Sequence, residues 1–443
     1  MTDQLPSTPA EVLHISSALR MAMNAVCKSA ELLGYWDLPY RNAATCFEEM
    51  SLLDKLYWAY KCKRPVTRFE DGASPGLFME RDPRLVGLPP EFEKSTGLSL
   101  AAVGDLIQTD TLAHSANLLY ERIADLLFDR DIAYANLESP LTTQTLHEEV
   151  ISDKESPIEC CSREQFDILK GHKGRFFTVM HTAGNHMADM GVEGVQTTQR
   201  QFSADRIVDV GTNRKPEEYG RGRIIERNGL RIGFVSATYG LNGRDLPPEE
   251  AWRINVARMH SKRAEPDLSL LKRQLQDCRD QACDFIIASL HWGYEFEFFP
   301  RRHQIDIAHE LIESGADAII GHHPHVIQPV EYYRTRRDPD RIAVIAYSLG
   351  SLNWTFTAPH LALSLVLNLN LAKGMYRGAP LTYIERSTVT PVFRRHLSLD
   401  GVPVTRIEKL ADHPGDSDAI DPEYIAAMRR HVVRVLDQSK GDS

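Results

Sequence analysis

Two rhythms of apolar and polar positions divide the chain. Up to about residue 97, apolar side chains recur at helix spacing in EVLHISSALRMAMNAVCKSAELL and again in FEEMSLLDKLYWAYKCK. A Pro- and Gly-rich loop, DGASPGLFMERDPRLVGLPPEF, follows. This pattern predicts an accessory helical region over 1–97. From residue 98, short apolar runs alternate with helix-period segments. LSLAAVGDLI, IAYANLESP, FFTVMHTAGNH, CDFIIASLHWG, ADAIIGHHPHV, RIAVIAYSLGS and LALSLVLNLNLA read as buried strands. Between them, NLLYERIADLLFD predicts a helix with Leu119, Ile123, Leu126 and Leu127 on one face. Asp267 is placed to cap a helix carrying Leu268, Leu271, Leu275 and Cys278, and QIDIAHELIES predicts a helix stopped by Gly315. RIIERNGLRIGFVSA reads as a hairpin turning on Asn228-Gly229. The alternation predicts an α/β layered domain over 98–395 with partly parallel strands, then a tail over 396–443 holding one helix, DPEYIAAMRRHVVRVLDQ.

In open α/β sheets ligands gather at the carboxyl ends of strands. Here those ends read GD (Asp105), NLE (Glu138), GNH (Asn185, His186), HWG (His291), GHHPH (His322, His323, His325) and YSLGS (Ser348, Ser351). Imidazole nitrogens combined with carboxylate and amide oxygens suit divalent Mn, Fe or Zn, and the absence of cysteine from the set argues against a structural zinc finger. Ligands drawn from several strands can hold two cations, which together clamp an anionic centre and stabilise an in-line displacement. In HHPHV, Pro324 restricts the backbone between His323 and His325, so a rigid turn is expected there. Glu295, after HWGY, is placed equally well to meet substrate or to cap a helix. Arg301-Arg302 and Arg334, Arg336 and Arg337 are candidate contacts for an anion.

Over about residues 98–355 these motifs, in this order, resemble the CapA-type (poly-γ-glutamate capsule biosynthesis) proteins of the calcineurin-like metallophosphoesterase superfamily. The resemblance implies an α/β fold built as a four-layer α/β/β/α sandwich with metals at the strand ends. It implies Asp105 as a carboxylate ligand of one metal and Glu138 as the bridging carboxylate. Asn185, His291 and His323 would serve the second metal, with His325 returning to the first. His186 resembles the histidine that assists the leaving oxygen, and Asp189 in GNHMAD would orient it. The superfamily's Asp-x-His is here Asp105-Leu106-Ile107, one imidazole short, so one tightly held ion and one exchangeable ion are expected. The family's YSLGN ends in Ser351, and no apolar run of the kind that anchors capsule systems is visible, so no membrane anchor is expected.

Composition adds limits. The formal net charge of −10, from 51 Lys+Arg and 61 Asp+Glu, disfavours a nucleic-acid binder. Seven cysteines, an odd number without a C-x-x-C pair, fit a reducing compartment. Neither a signal-peptide pattern nor an apolar run of membrane-spanning length is visible, so a cytoplasmic protein without membrane contact is expected. No Walker or dinucleotide fingerprint occurs, and Ser348 in AYSLGS lacks the first glycine of a nucleophile elbow. The expected function is a metal-dependent hydrolase that cleaves a phosphoester, with one or two divalent ions generating hydroxide and an anionic small molecule or polymer as substrate. The alternatives are metal-assisted chemistry on an amide of a glutamyl or amino-acid-derived substrate, and a non-catalytic polyanion-binding scaffold.

Overall fold

Two β-sheets lie face to face in a computed structural model that describes residues 5–70, 82–144, 156–413 and 420–436. In chain order the strands are β1 (Glu93–Leu106), β2 (Ile132–Leu137), β3 (Gly171–His172), β4 (Arg175–Phe176), β5 (Val179–His181), β6 (Val208–Val210), β7 (Arg223–Arg227) and β8 (Leu230–Thr238). They continue with β9 (Phe285–His291), β10 (Ala318–His322), β11 (Val330–Arg334), β12 (Ile342–Ala346), β13 (Ser351–Asn353), β14 (Leu363–Tyr376), β15 (Ala379–Leu399) and β16 (Val402–Lys409). The helices are α1 (Ser17–Leu32), α2 (Leu52–Lys63), α3 (Ala124–Leu127), α4 (Arg163–Leu169), α5 (Gly191–Asp205), α6 (Ser269–Asp280), α7 (Arg302–Glu313), α8 (Pro359–Ala362) and α9 (Pro422–Leu436).

The first sheet runs β16-β15-β14-β1-β2-β5-β6, with β13 paired to the end of β1; the second runs β11-β12-β10-β9-β8-β7. β1, β2, β5 and β6 are parallel in the first sheet, and β8, β9, β10 and β12 are parallel in the second. The apolar runs read as continuous because both faces of these strands are covered. On β1, Leu98, Leu100 and Ala102 join the core between the sheets. Ala101 and Val103 pack outward with Leu119, Tyr120, Phe166 and Phe202. With α3 to α5 on one outer side and α6 and α7 on the other, the result is the expected four-layer α/β/β/α sandwich.

Several local expectations hold. Asn228 and Gly229 turn the β7–β8 hairpin with φ of 51° and 75°, both in the region a type I′ turn needs. Gly315 follows α7 at φ 121°; α6 starts one residue later than expected, with Leu268 at its cap position in place of Asp267, which still accepts from the Ser269 amide. NLLYERIADLLFD departs from expectation: only the single turn α3 is helical, and residues 115–123 run through i→i+3 turns. Leu119, Tyr120, Ile123 and Leu127 are all fully buried, so tertiary packing around the segment overrides its helix period. The expected divisions at 97/98 and 395/396 fall inside β1 and β15. β15 stays paired with β16 out to Leu399, so the first sheet extends beyond the expected boundary. Of the loop over 71–92, residues 71–81 lie outside the described residues, as do 437 and 438 of the expected C-terminal helix.

The N-terminal region packs on the sandwich. Ser51 and Asp54 form a capping box that starts α2. Val66 exchanges backbone hydrogen bonds with Phe296 and Phe298. Lys61 and Tyr57 of α2 meet Glu297, which Arg301 also engages. These contacts carry residues 5–70 over the carboxyl ends of β9 and β10.

Candidate metal centre

All six predicted ligands converge at the carboxyl ends of the two parallel strand sets. Asp105 is the next-to-last residue of β1 and Glu138 follows β2. Asn185 follows β5, His291 ends β9, and His323 and His325 follow β10. Two glycines in the predicted motifs allow the strand ends to meet. A Cβ on Gly104 would lie 1.7 Å from the Gly350 carbonyl oxygen, so the GD and LGS segments approach backbone to backbone. There the Asp105 amide donates to that same carbonyl at 3.0 Å.

The groups form a continuous chain of contacts. The Asp105 carboxylate lies 3.3 Å from His325 Nδ1, and His325 Nε2 lies 3.6 Å from Glu138 Oε1. His291 Nε2 is 3.6 Å from the same oxygen and 2.8 Å from Asn185 Oδ1. The His291 and His323 rings stand 5.0 Å apart. One donor atom from each of Glu138, His323 and His325 lies within 4.8 Å of the others.

Whether these residues suit a cation can be judged from their unmet bonding. Glu138 is 1% exposed, and among the described residues neither of its carboxylate oxygens has a hydrogen-bond partner; His291 Nδ1 and His323 Nδ1 are likewise unpartnered. Buried polar groups are ordinarily paired, and a lone buried carboxylate is costly. Burial and the neighbouring charges of Asp105, Glu295 and Asp189 push the Glu138 carboxyl well above its usual range, while burial pushes His291 and His323 well below theirs. Burial works to raise Asp105 as well, but the His322 and His325 imidazoles beside it outweigh that and hold it well below the usual range. Neutral imidazoles and an unsatisfied carboxylate form a donor set to which a divalent cation supplies the missing partner, so the residues fit.

The turn carrying the histidines is strained. His323 and His325 have φ of 97° and 57°, on either side of Pro324. A non-glycine residue there costs about 1–2 kcal/mol, and such cost concentrates at functional sites. His323→Ala and His323→Gly both delete the imidazole and are expected to lose metal. The glycine variant should be more stable than the alanine variant by about 1 kcal/mol without metal. Urea titrations of the two metal-free proteins check this; equal midpoints would argue against strain at 323.

His186 lines a cavity beside Asn185, and its Nδ1 lies 2.7 Å from Asp189 Oδ2. The buried Asp189 also accepts from the Glu159 amide and from Arg244. A carboxylate only accepts, so the Nδ1 proton belongs to His186, leaving Nε2 for chemistry. Ser351 Oγ lies 2.9 Å from His325 Nδ1, so a serine there positions the imidazole. Ile107 is buried in the core, while His322 Nδ1 lies 3.2 Å from Asp105 Oδ1. Ser348 is fully buried and donates to the Val326 carbonyl.

The arginines singled out as anion contacts lie elsewhere. Arg301 is 1% exposed against Glu297, Arg302 pairs with Asp306, Arg336 with Glu313 and Arg337 with Asp317, and Arg334 donates to the Pro339 carbonyl. Opposite charges and carbonyls already engage them, and none of them lines the cavity bordered by Asn185, His186 and His323.

Other residues near the centre were not singled out. Asn136, inside NLE, donates to Asp105 and is met by His181, the last residue of β5. The strand-end rule that found Asn185 also points to His181. Thr45 Oγ1 lies 3.2 Å from His323 Nε2, and Trp58 Nε1 donates to Glu295. Nothing local in the sequence marks Thr45 or Trp58.

A family model described as "Bacterial capsule synthesis protein PGA_cap" matches residues 99–353. The chain is 27% identical over 305 residues to the PGA biosynthesis protein CapA of Bacillus subtilis, covering 67% of this chain and 74% of that one. It is 25% identical over 280 residues to the capsule biosynthesis protein CapA of Bacillus anthracis, covering 61% of this chain and 64% of that one, just under two thirds of its length. A crystal structure of the calcineurin-like phosphoesterase YfkN from Bacillus subtilis aligns with 77% of this chain and 98% of its own, at 14% identity and a TM-score of 0.34. With the family match spanning more than half of its length, the chain belongs to the bacterial capsule synthesis protein (PGA_cap) family.

Proposed function

We propose that this protein is a metal-dependent hydrolase acting on a phosphoester. The observation that carries the reading is Glu138, a buried carboxylate with both oxygens unpartnered among His291, His323 and His325. Asp105, Glu138, Asn185, His291, His323 and His325 would hold one or two divalent cations. When bound, these supply Lewis-acid polarisation of the phosphoryl group and neutralise its developing charge.

The chain's own residues do the rest. His186, its Nδ1 proton held by Asp189, is placed to deliver a proton from Nε2 to the leaving oxygen. Arg244 and the Glu159 amide hold Asp189, which fixes the ring's tautomer and direction. Asn185 presents its Oδ1 to the His291 side, and Tyr239 accepts from its Nδ2, which fixes the orientation of the amide.

The partner in this reading is an anionic substrate, not a nucleic acid. None of the seven cysteines forms a disulfide, and among the described residues no helix is long and apolar enough to cross a membrane; we place the protein in a reducing cytoplasm on the thiols. The names of the Bacillus relatives favour a second reading, metal-assisted chemistry on a glutamyl amide.

Release of p-nitrophenol from phosphomonoesters and phosphodiesters by the Mn- or Zn-loaded protein, with and without chelator, tests the first reading. Chelator-sensitive turnover is expected. An inert protein that cleaves γ-glutamyl amides would favour the second reading, and one inert on both that still binds polyanions would favour a scaffold.

A further inference from the structure

A cavity of about 340 Å³ adjoins the candidate metal centre, within the size range of small-molecule sites. At one end it is lined by Asn185, His186 and His323. The rest is largely apolar: Leu13, Ile15, Leu19, Met23, Leu56 and Trp58 all line it, and all come from the N-terminal region. Thr45 fixes this region to the centre through its contact with His323, and Trp58 does so through Glu295.

The charge of the lining bears on what it can hold. Among the described lining residues, Lys55 supplies the one ammonium group and packs over the Phe47 ring, while Glu295 supplies a carboxylate. A polyanion needs a run of cations along its path. A chain of glutamates in this cavity would set carboxylates against leucine and methionine, at a desolvation cost that the lysine of the described lining does not offset for more than one of them. A hydrocarbon group, by contrast, gains from each methylene removed from water.

We propose that the substrate of this centre is amphipathic: an anionic head engaged at the candidate metal ligands, joined to a hydrocarbon group that fills the pocket built by residues 13–59. The position of the head rests on the metal-centre reading. The hydrocarbon pocket rests on its own lining. Residues 5–70 are then the specificity-determining part of the protein, and Leu19, 40% exposed at the pocket wall, is a point where the wall can be altered without opening the core.

The test uses the full chain loaded with Mn and a series of n-alkylphosphonic acids from methyl to hexyl, with Kd measured by calorimetry. Each methylene should tighten binding about three- to fourfold, giving about 10²–10³-fold across the series. Leu19→Asp should flatten that dependence of Kd on chain length. The proposal is overturned if Kd is the same for methyl and hexyl, if Leu19→Asp keeps the parental slope, or if poly-γ-glutamate displaces the probes more strongly than hexylphosphonate binds. Repeating the series on chelator-treated protein separates the two readings. A chain-length slope that survives with a metal-independent Kd supports the hydrocarbon pocket and counts against the metal-bound head.

Discussion

His186→Ala is expected to slow turnover by about 10²–10⁴-fold on a phosphoester with a poor leaving group, while bound metal stays at the parental level. The separation follows from geometry. His186 sits next to Asn185, yet its Nδ1 is committed to Asp189, so the ring does not enter the Glu138–His291–His325 cluster. Removing it takes away a proton donor and no cation donor. A substrate that leaves readily as an anion, such as p-nitrophenolate, needs little protonation, so the loss should shrink there. Steady-state rates on the two substrate types, beside elemental analysis of the variant, give the comparison. Parental turnover on the poor leaving group would show the assigned role to be wrong.

The largest stability effect is expected at Glu297. Its carboxylate is 1% exposed and meets Lys61 at 2.9 Å, Arg301 at 2.9 and 3.0 Å, and the Tyr57 hydroxyl at 3.0 Å. Glu297→Ala leaves two buried cations facing each other without an anion, and breaking such a network costs about 3–5 kcal/mol. The same group gives a pH signature. Burial alone would raise the Glu297 carboxyl, but Arg301 and Lys61 overcome it and pull the group from an ordinary 4.5 to about 2. A group lowered on folding stabilises the fold fully above its unfolded value, and that contribution drains away as the pH falls through the folded one. Wild type should therefore lose stability between about pH 4.5 and 2 through this group, and Glu297→Ala should lack that component. Chemical denaturation at pH 7 and across the acid limb checks both parts. A loss under about 1 kcal/mol at pH 7 would mean the network does not hold the N-terminal region on the sandwich.

The centre was legible in the sequence because its residues follow a local rule. Each of Asp105, Glu138, Asn185, His291, His323 and His325 stands where an apolar run stops, and the carboxyl ends of parallel strands share one side of their sheet. The Asn228-Gly229 hairpin and the Gly315 stop were legible for the same reason, since backbone conformation there is a local property. What escaped was non-local. Thr45 reaches His323 across 278 positions and Trp58 reaches Glu295 across 237, so neither leaves a mark in its own neighbourhood. The apolar positions of α1 and α2 read as ordinary helix faces, and only the folded chain shows that some of them wall a cavity. The segment around Leu119 misled in the opposite direction: its helix period is real, but burial on several sides broke it into turns.

The central claim is that the strand-end cluster binds a divalent cation, and elemental analysis paired with anomalous diffraction tests it most directly. Purified protein loaded with Mn or Zn and then desalted should retain about one equivalent of metal, with an anomalous peak among Glu138, Asn185, His291 and His323; a second peak near Asp105 and His325 should fill only when metal is in excess. Less than about 0.2 equivalents after loading, or an anomalous peak away from these residues, would contradict the account.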